Sequence, residues 1–141
     1  MLVTEIMTKD VVKVENDKSV YDICNIYKSK GVGSLVVIKD EMVVGIVTER
    51  DIIERVIIKL KDPKKTKVED IMSRNIKTIH ASSRIEKAVE IMRQNNIKKL
   101  PVILNNDILG IVTITDIANI LPEYSKLLDE EIQKSKENNQ K

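Results

Sequence analysis

The chain has 141 residues, 42% hydrophobic but only 2% aromatic, and its 24 Lys and Arg against 22 Asp and Glu leave a net charge of +2. That length holds one domain or two half-domains sharing a core, and mixed charge near neutrality argues against the broad basic footprint of a nucleic-acid binder. No apolar run approaches a membrane span, Met1 to Asp10 lacks the pattern of a secretory signal, and the lone Cys24 allows no intrachain disulfide, so a cytoplasmic protein is expected.

In chain order, Val11 to Val14 is an apolar run suited to a strand. Ser19 offers an N-cap to a helix with Val20, Ile23, Cys24 and Tyr27 at helical spacing, on which Cys24 is expected to be a buried small hydrophobe. Gly31 and Gly33 end that helix, and Leu35 to Ile38 turns through Lys39, Asp40 and Glu41 into a strand at Val43 to Val47. Thr48 caps a second helix reaching about Leu60, with Ile52, Ile53, Val56, Ile57 and Leu60 expected on its inner face. Lys61 to Lys67 is a short charged connection, expected to be solvated.

The same course then repeats. Ile76 to Ile79 is a strand, and Ser82 or Ser83 opens a helix carrying Ile85, Ala88, Val89 and Met92. Leu100 to Leu104 and Ile108 to Val112 make a hairpin closed by Asn105, Asn106 and Asp107, and Thr113 caps a last helix through Ile117 and Ile120 that Pro122 ends. The expected organisation is residues 1–60 as first repeat, 61–67 as linker and 68–122 as second repeat. Residues 123–141 form a polar tail, helical near Leu127, Leu128 and Ile132 and then disordered.

The repetition is also one of identity. Residues 3–52 and 68–117 align at a constant offset of 65 with 13 identities in 50 pairs, where this composition gives roughly four or five by chance. Five of them lie in Gly45–Asp51 and Gly110–Asp116: Gly45/Gly110, Ile46/Ile111, Val47/Val112, Thr48/Thr113 and Asp51/Asp116. Packing explains the apolar matches but not a Thr and an Asp three residues apart in both copies. At a strand-to-helix junction such a pair is a helix cap. It also sets a carboxylate and a hydroxyl beside unpaired N–H donors, a set that suits a vicinal diol such as a ribose. Gly45, lacking Cβ, lets another backbone or a flat ring approach its strand.

Taken together, the two halves resemble tandem CBS domains, the paired module also called a Bateman domain. The resemblance spans about residues 1–122 and rests on the openings at Glu5–Thr8 and Asp70–Ser73, on Leu100–Val102, and on both Gly-h-h-Thr-x-x-Asp ends. It implies an α+β fold of two β-α-β-β-α repeats packed about a pseudo-twofold axis, with clefts for AMP, ADP, ATP, S-adenosylmethionine or, less often, NAD(H). By the same resemblance Asp51 and Asp116 hold the ribose diol, Thr48 and Thr113 contact ribose or phosphate, and Val14 and Ile79 form the adenine shelf. Phosphate candidates are Arg50, Lys98, Lys99 and His80; Lys98 and Lys99 match Gly33 and Ser34 of repeat one, and Arg50 matches Thr115, so the two sites differ in charge.

Metal-ligand spacing and an assembled nucleophile–base pair are both lacking, so no enzyme is expected. Met7 and Met72 are expected to pack between the halves. The expected function is a non-catalytic sensor of adenosine-containing ligands that regulates a separate protein and forms a homodimer through helical faces such as Ile52, Val56 and Ile57, or Ile117 and Ile120. The alternatives are a structural dimerisation module with empty clefts, or nucleic-acid binding through Lys59, Lys61, Lys64, Lys65, Lys67, Lys98 and Lys99, which the near-neutral charge and scarce aromatics oppose.

Overall fold

The computed structural model describes residues 1–126, so the expected helical turn near Leu127, Leu128 and Ile132 and the stretch after it lie outside the described residues. In the first repeat, α1 (Val20–Lys30) starts where the Ser19 hydroxyl accepts the Asp22 N–H at 3.1 Å. It ends at Gly31, whose φ of 65° is the left-handed conformation that glycine adopts without penalty. β2 (Ser34–Lys39) and β3 (Met42–Thr48) form a hairpin whose two turn residues, Asp40 and Glu41, both have positive φ, the geometry that matches strand twist. β1 (Lys13–Glu15) pairs in parallel with β2, Val14 facing Val37, so the sheet order is β1-β2-β3. α2 (Glu49–Ile52) widens into a π-helical turn over Ile53–Ile57, where the Ile58 N–H reaches back to the Ile53 carbonyl at 3.0 Å.

The second repeat follows suit: β4 (Ile79–His80), α3 (Ile85–Asn95), β5 (Lys99–Leu104), β6 (Asp107–Thr113) and α4 (Ile114–Ile120), with sheet order β4-β5-β6. A 3-10 turn at Pro122–Tyr124 follows α4. The start of α3 differs from expectation. Its N-cap is Arg84, which makes no side-chain cap bond; Ser82 instead faces His80, and the Ile85 N–H is taken by the Met1 carbonyl at 3.0 Å. The Met1 carbonyl thus does there what the Thr66 carbonyl does for the Val20 N–H of α1, and α3 has no counterpart of the Ser19 hydroxyl cap.

The chain forms two compact units, Val11–Ile76, and Met1–Asp10 together with Lys77 onward. The opening stretch of each repeat therefore belongs with the sheet of the other. In one unit Thr8 and Ile111 exchange backbone hydrogen bonds at 2.8 and 3.0 Å; in the other Ser73 and Ile46 do so at 2.9 and 3.1 Å. Two glycines permit this approach. A Cβ on Gly110 would lie 2.6 Å from the Thr8 carbonyl oxygen and 2.7 Å from the Met7 sulfur, and one on Gly45 would lie 2.5 Å from the Met72 sulfur and 2.9 Å from the Ser73 oxygen. Of the two uses expected for Gly45, it is a neighbouring backbone and its methionine that lie against the strand.

The core of the first unit gathers Val14, Val20, Ile23, Leu35, Val37, Val47, Ile52 and Val56 with Val68, Ile71 and Met72. That of the other gathers Ile79, Ile85, Leu100, Val112 and Ile117 with Val3 and Ile6. Three expectations give way. Cys24 is exposed, because the buried side of α1 runs through Val20 and Ile23 and places Cys24 beyond its edge. After Thr48 only Ile52 and Val56 face inward; Ile53, Ile57 and Leu60 are exposed. The linker is not merely solvated: the carbonyls of Pro63 and Thr66 accept the Tyr21 and Val20 N–H groups at 3.0 and 2.8 Å, and Thr66 is buried.

Candidate functional site

Each unit carries its Thr-x-x-Asp pair at the point where the last strand becomes the last helix. The Thr48 N–H donates to Asp51 Oδ2 at 2.9 Å, its hydroxyl does so at 3.2 Å, and its Oγ1 accepts the Asp51 N–H at 3.3 Å. Thr113 and Asp116 form the same reciprocal box, with the Thr113 N–H 3.1 Å from Asp116 Oδ2 and the Asp116 N–H 3.0 Å from Thr113 Oγ1. Both boxes satisfy first-turn donors, so both are helix caps in full. In each, the cap engages Oδ2, which leaves Oδ1 outside it as an acceptor on a half-buried carboxylate.

Their surroundings diverge one turn along the helix. Arg55 places Nε 3.9 Å from Asp51 Oδ1, while its Nη1 donates to the carbonyls of Ile71 and Met72 at 2.8 and 3.2 Å. The position equivalent to Arg55 is Ile120, which carries no charge. Sequence reasoning passed over Arg55, although its i+4 spacing from Asp51 is the signal that marks it. Arg50, singled out instead, turns to Glu54, with Nε 2.7 Å from Oε1 at the exposed surface.

Tyr27 adds a second asymmetry. Its hydroxyl donates to the Val47 carbonyl at 2.7 Å, just before Thr48. Burial, then the negative charges of Asp51 and Glu49, push this hydroxyl well above its ordinary range, so it stays a donor. The equivalent residue is Met92, buried in the other core.

Lys98 and Lys99 lie at the Thr113 end of their own sheet. Lys99 pairs in register with Thr113, and the Lys98 carbonyl accepts the Ile114 N–H at 3.0 Å. Ser34 takes the place of Lys99 opposite Thr48. His80 is the last residue of β4, and its Nδ1 lies 2.8 Å from the Ser82 hydroxyl. Val14 and Ile79 are 5% and 3% exposed and belong to the cores of their respective units. Among the described residues no three His, Cys, Asp or Glu side chains group as metal ligands, and no helix is long and apolar enough to cross a membrane.

A family model described as CBS domain matches residues 3–58 and again residues 68–123. An uncharacterized protein of Methanopyrus kandleri is 32% identical over 138 residues, covering 96% of this chain and 70% of that protein. Among solved structures, an uncharacterized conserved protein from Pyrococcus horikoshii is 32% identical with a TM-score of 0.76, over 84% of this chain and 90% of that one. A CBS domain pair in complex with 5′-methylthioadenosine and S-adenosyl-L-methionine is 26% identical with a TM-score of 0.73, over 85% of this chain and 98% of that one.

Proposed function

The chain belongs to the CBS domain family and carries the module twice, and from that premise we propose that it is a non-catalytic regulatory module that binds adenosine-containing ligands at its two Thr-x-x-Asp ends. One observation carries this reading: each end holds a capped aspartate with an oxygen outside the cap, in a chain similar to a CBS pair solved with two adenosyl compounds. Asp51 and Asp116 accept the ribose hydroxyls, and Thr48 and Thr113 hold those carboxylates in place. The ligand class is AMP, ADP, ATP or S-adenosylmethionine. Anionic tails meet Arg55 and the candidate Arg50 at the first end, and Lys98, Lys99 and His80 at the second.

Output follows from differential binding. A ligand that prefers one conformation of the module shifts its population and so its affinity for a separate protein target, with no turnover of the ligand. The module works as a homodimer in the cytoplasm. A second reading, a dimerisation module without ligand, draws on the fact that both Thr–Asp boxes are complete as caps. Thermal shift of the purified chain against AMP, ADP, ATP, S-adenosylmethionine, NADH and an oligonucleotide separates the two. The sensor reading expects a concentration-dependent rise with at least one adenosyl compound and none with the oligonucleotide; no rise with any adenosyl compound at millimolar concentration supports the second reading.

A further inference from the structure

Arg55 faces two ways within the first unit. It stands in the middle of the π-helical turn Ile53–Ile57, a backbone irregularity that recurs at functional sites and that the equivalent helix α4 lacks. On one side its Nη1 donates to the carbonyls of Ile71 and Met72 at 2.8 and 3.2 Å. On the other its Nε is 3.9 Å from Asp51 Oδ1, within reach of charge attraction and too far for a hydrogen bond. The N–H groups of Nε and Nη2 lie along one edge of a guanidinium, the edge that grips phosphate or carboxylate in bidentate fashion. Among the described residues that edge makes no hydrogen bond.

The neighbouring charges leave the edge available. Arg50 and Glu54 are paired with each other at 2.7 Å on the exposed surface, so the ion partner of Arg55 is Asp51. The Asp51 side chain is 14% exposed and that of Arg55 48%, which puts the free edge of the cation on the open side of the carboxylate. Held by two main-chain carbonyls, the guanidinium is already oriented before a ligand arrives, which spares the entropy of ordering a long side chain.

Those carbonyls belong to the opening of repeat two, a stretch tied down along its length. The Val68 N–H donates to the Lys18 carbonyl at 2.8 Å, the Asn16 amide donates to the Glu69 carboxylate, and Ser73 exchanges bonds with Ile46. The chain leaves this unit at Ile76, just beyond. In the other unit the matching opening, Ile6 to Thr8, keeps the exchange with Ile111. There Ile120 stands in the place of Arg55 and has no donor to offer.

We propose that Arg55 ties occupancy of the first end to the opening of repeat two. The Ile71 and Met72 carbonyls set its Nε–Nη2 edge to take the anionic group of a ligand whose ribose is on Asp51, and a bound anion in turn holds Ile71 to Ser73 in place. This rests on the adenosyl reading above. It adds that the first end responds to the charge of its ligand, and through which segment, while the second end has no such link.

Hydrogen exchange on the full chain, alone and with saturating AMP or adenosine, tests the proposal. Coupling is reciprocal, so a contact that raises AMP affinity about tenfold is expected to slow exchange of the Ile71, Met72 and Ser73 amides by up to about tenfold. Adenosine, without the anionic group, is expected to protect them less, and Ile6 to Thr8 are expected to show no difference between the two ligands. In Arg55→Ile, and in Arg55→Lys, which keeps the charge but not the planar fork, AMP is expected to protect Ile71 to Ser73 no more than adenosine does. AMP that binds by calorimetry without protecting these amides beyond adenosine, or an AMP-specific protection that survives in either variant, overturns the proposal and leaves the adenosyl reading intact. A wild type that binds neither compound overturns both.

Discussion

The two strand-to-helix ends share one backbone design and differ in the residues one turn away. Thr48 with Asp51 and Thr113 with Asp116 make superposable capping boxes, because the cap answers to unpaired N–H groups that every helix start presents. Nothing in the cap constrains the residue four positions after the aspartate. There the first end has Arg55, reaching toward Asp51 Oδ1, and the second has Ile120. A duplicated scaffold can thus keep its acceptor geometry in both copies while each copy acquires its own electrostatics. The same holds opposite the threonines, where Ser34 and Lys99 occupy equivalent register positions.

The largest effect is expected where the shared scaffold itself is broken. Gly110→Ala would drive a Cβ against the Thr8 carbonyl oxygen, which is fixed by reciprocal bonds to Ile111, and should cost about 3 kcal/mol in chemical denaturation. Gly45→Ala meets the flexible Met72 side chain first and the Ser73 carbonyl oxygen at 2.9 Å, against 2.6 Å for the Thr8 oxygen at Gly110, and should cost somewhat less. Equal losses at the two glycines would show that the approaches are not as unlike as the contacts imply.

Exchanging the residues that differ should sharpen the comparison. Arg55→Ile should lower affinity for an anionic ligand such as AMP at the first end on the order of tenfold, and more at low ionic strength, while leaving uncharged adenosine little changed. Ile120→Arg should do the reverse at the second end. Calorimetric affinities for AMP that ignore both exchanges would remove Arg55 from the account.

A smaller effect belongs to Tyr27, whose counterpart Met92 makes no such bond. Tyr27→Phe removes the hydrogen bond to the Val47 carbonyl and should cost about 1 kcal/mol. Because the folded state raises the pKa of this hydroxyl above its ordinary value of 10.0, its contribution is full below pH 10 and is lost as pH rises further. Denaturation midpoints followed from pH 8 to 11 should therefore fall more steeply in the wild type than in the variant.

Much of this was legible in the sequence because local chemistry dictates it. Ser19 and the two threonines cap helices, Gly31 ends one, and both hairpins turn where the polar pairs stand. The family, too, was carried by the twin motifs. What escaped was set by tertiary context. Adjacent apolar pairs such as Ile52–Ile53 and Val56–Ile57 fit either of two neighbouring helix faces, so periodicity could not say that Ile52 and Val56 face the core while Ile53 and Ile57 do not. The uncapped start of α3 could not be foreseen from Ser82 and Ser83, since its acceptor is the Met1 carbonyl from far along the chain. There the repeat offset, which matches Ser19 to Arg84, was the better guide. The exchange of opening segments escaped for the same reason: Met7 and Met72 show their partners only once Gly110 and Gly45 are seen beside them.

The central claim is that Asp51 and Asp116 are ligand contacts as well as caps, and calorimetric titration of AMP and S-adenosylmethionine into Asp51→Asn, Asp116→Asn and the double variant tests it most directly. Asparagine keeps an acceptor for the capping N–H and removes the carboxylate charge, so thermal stability should change little. Each single variant should weaken binding at one end by about 10- to 150-fold, equivalent to roughly 1.5–3 kcal/mol for lost charge-assisted hydrogen bonds, and the double variant should weaken both. Wild-type affinities in the double variant, with the fold intact, would mean that these aspartates cap helices and do nothing more.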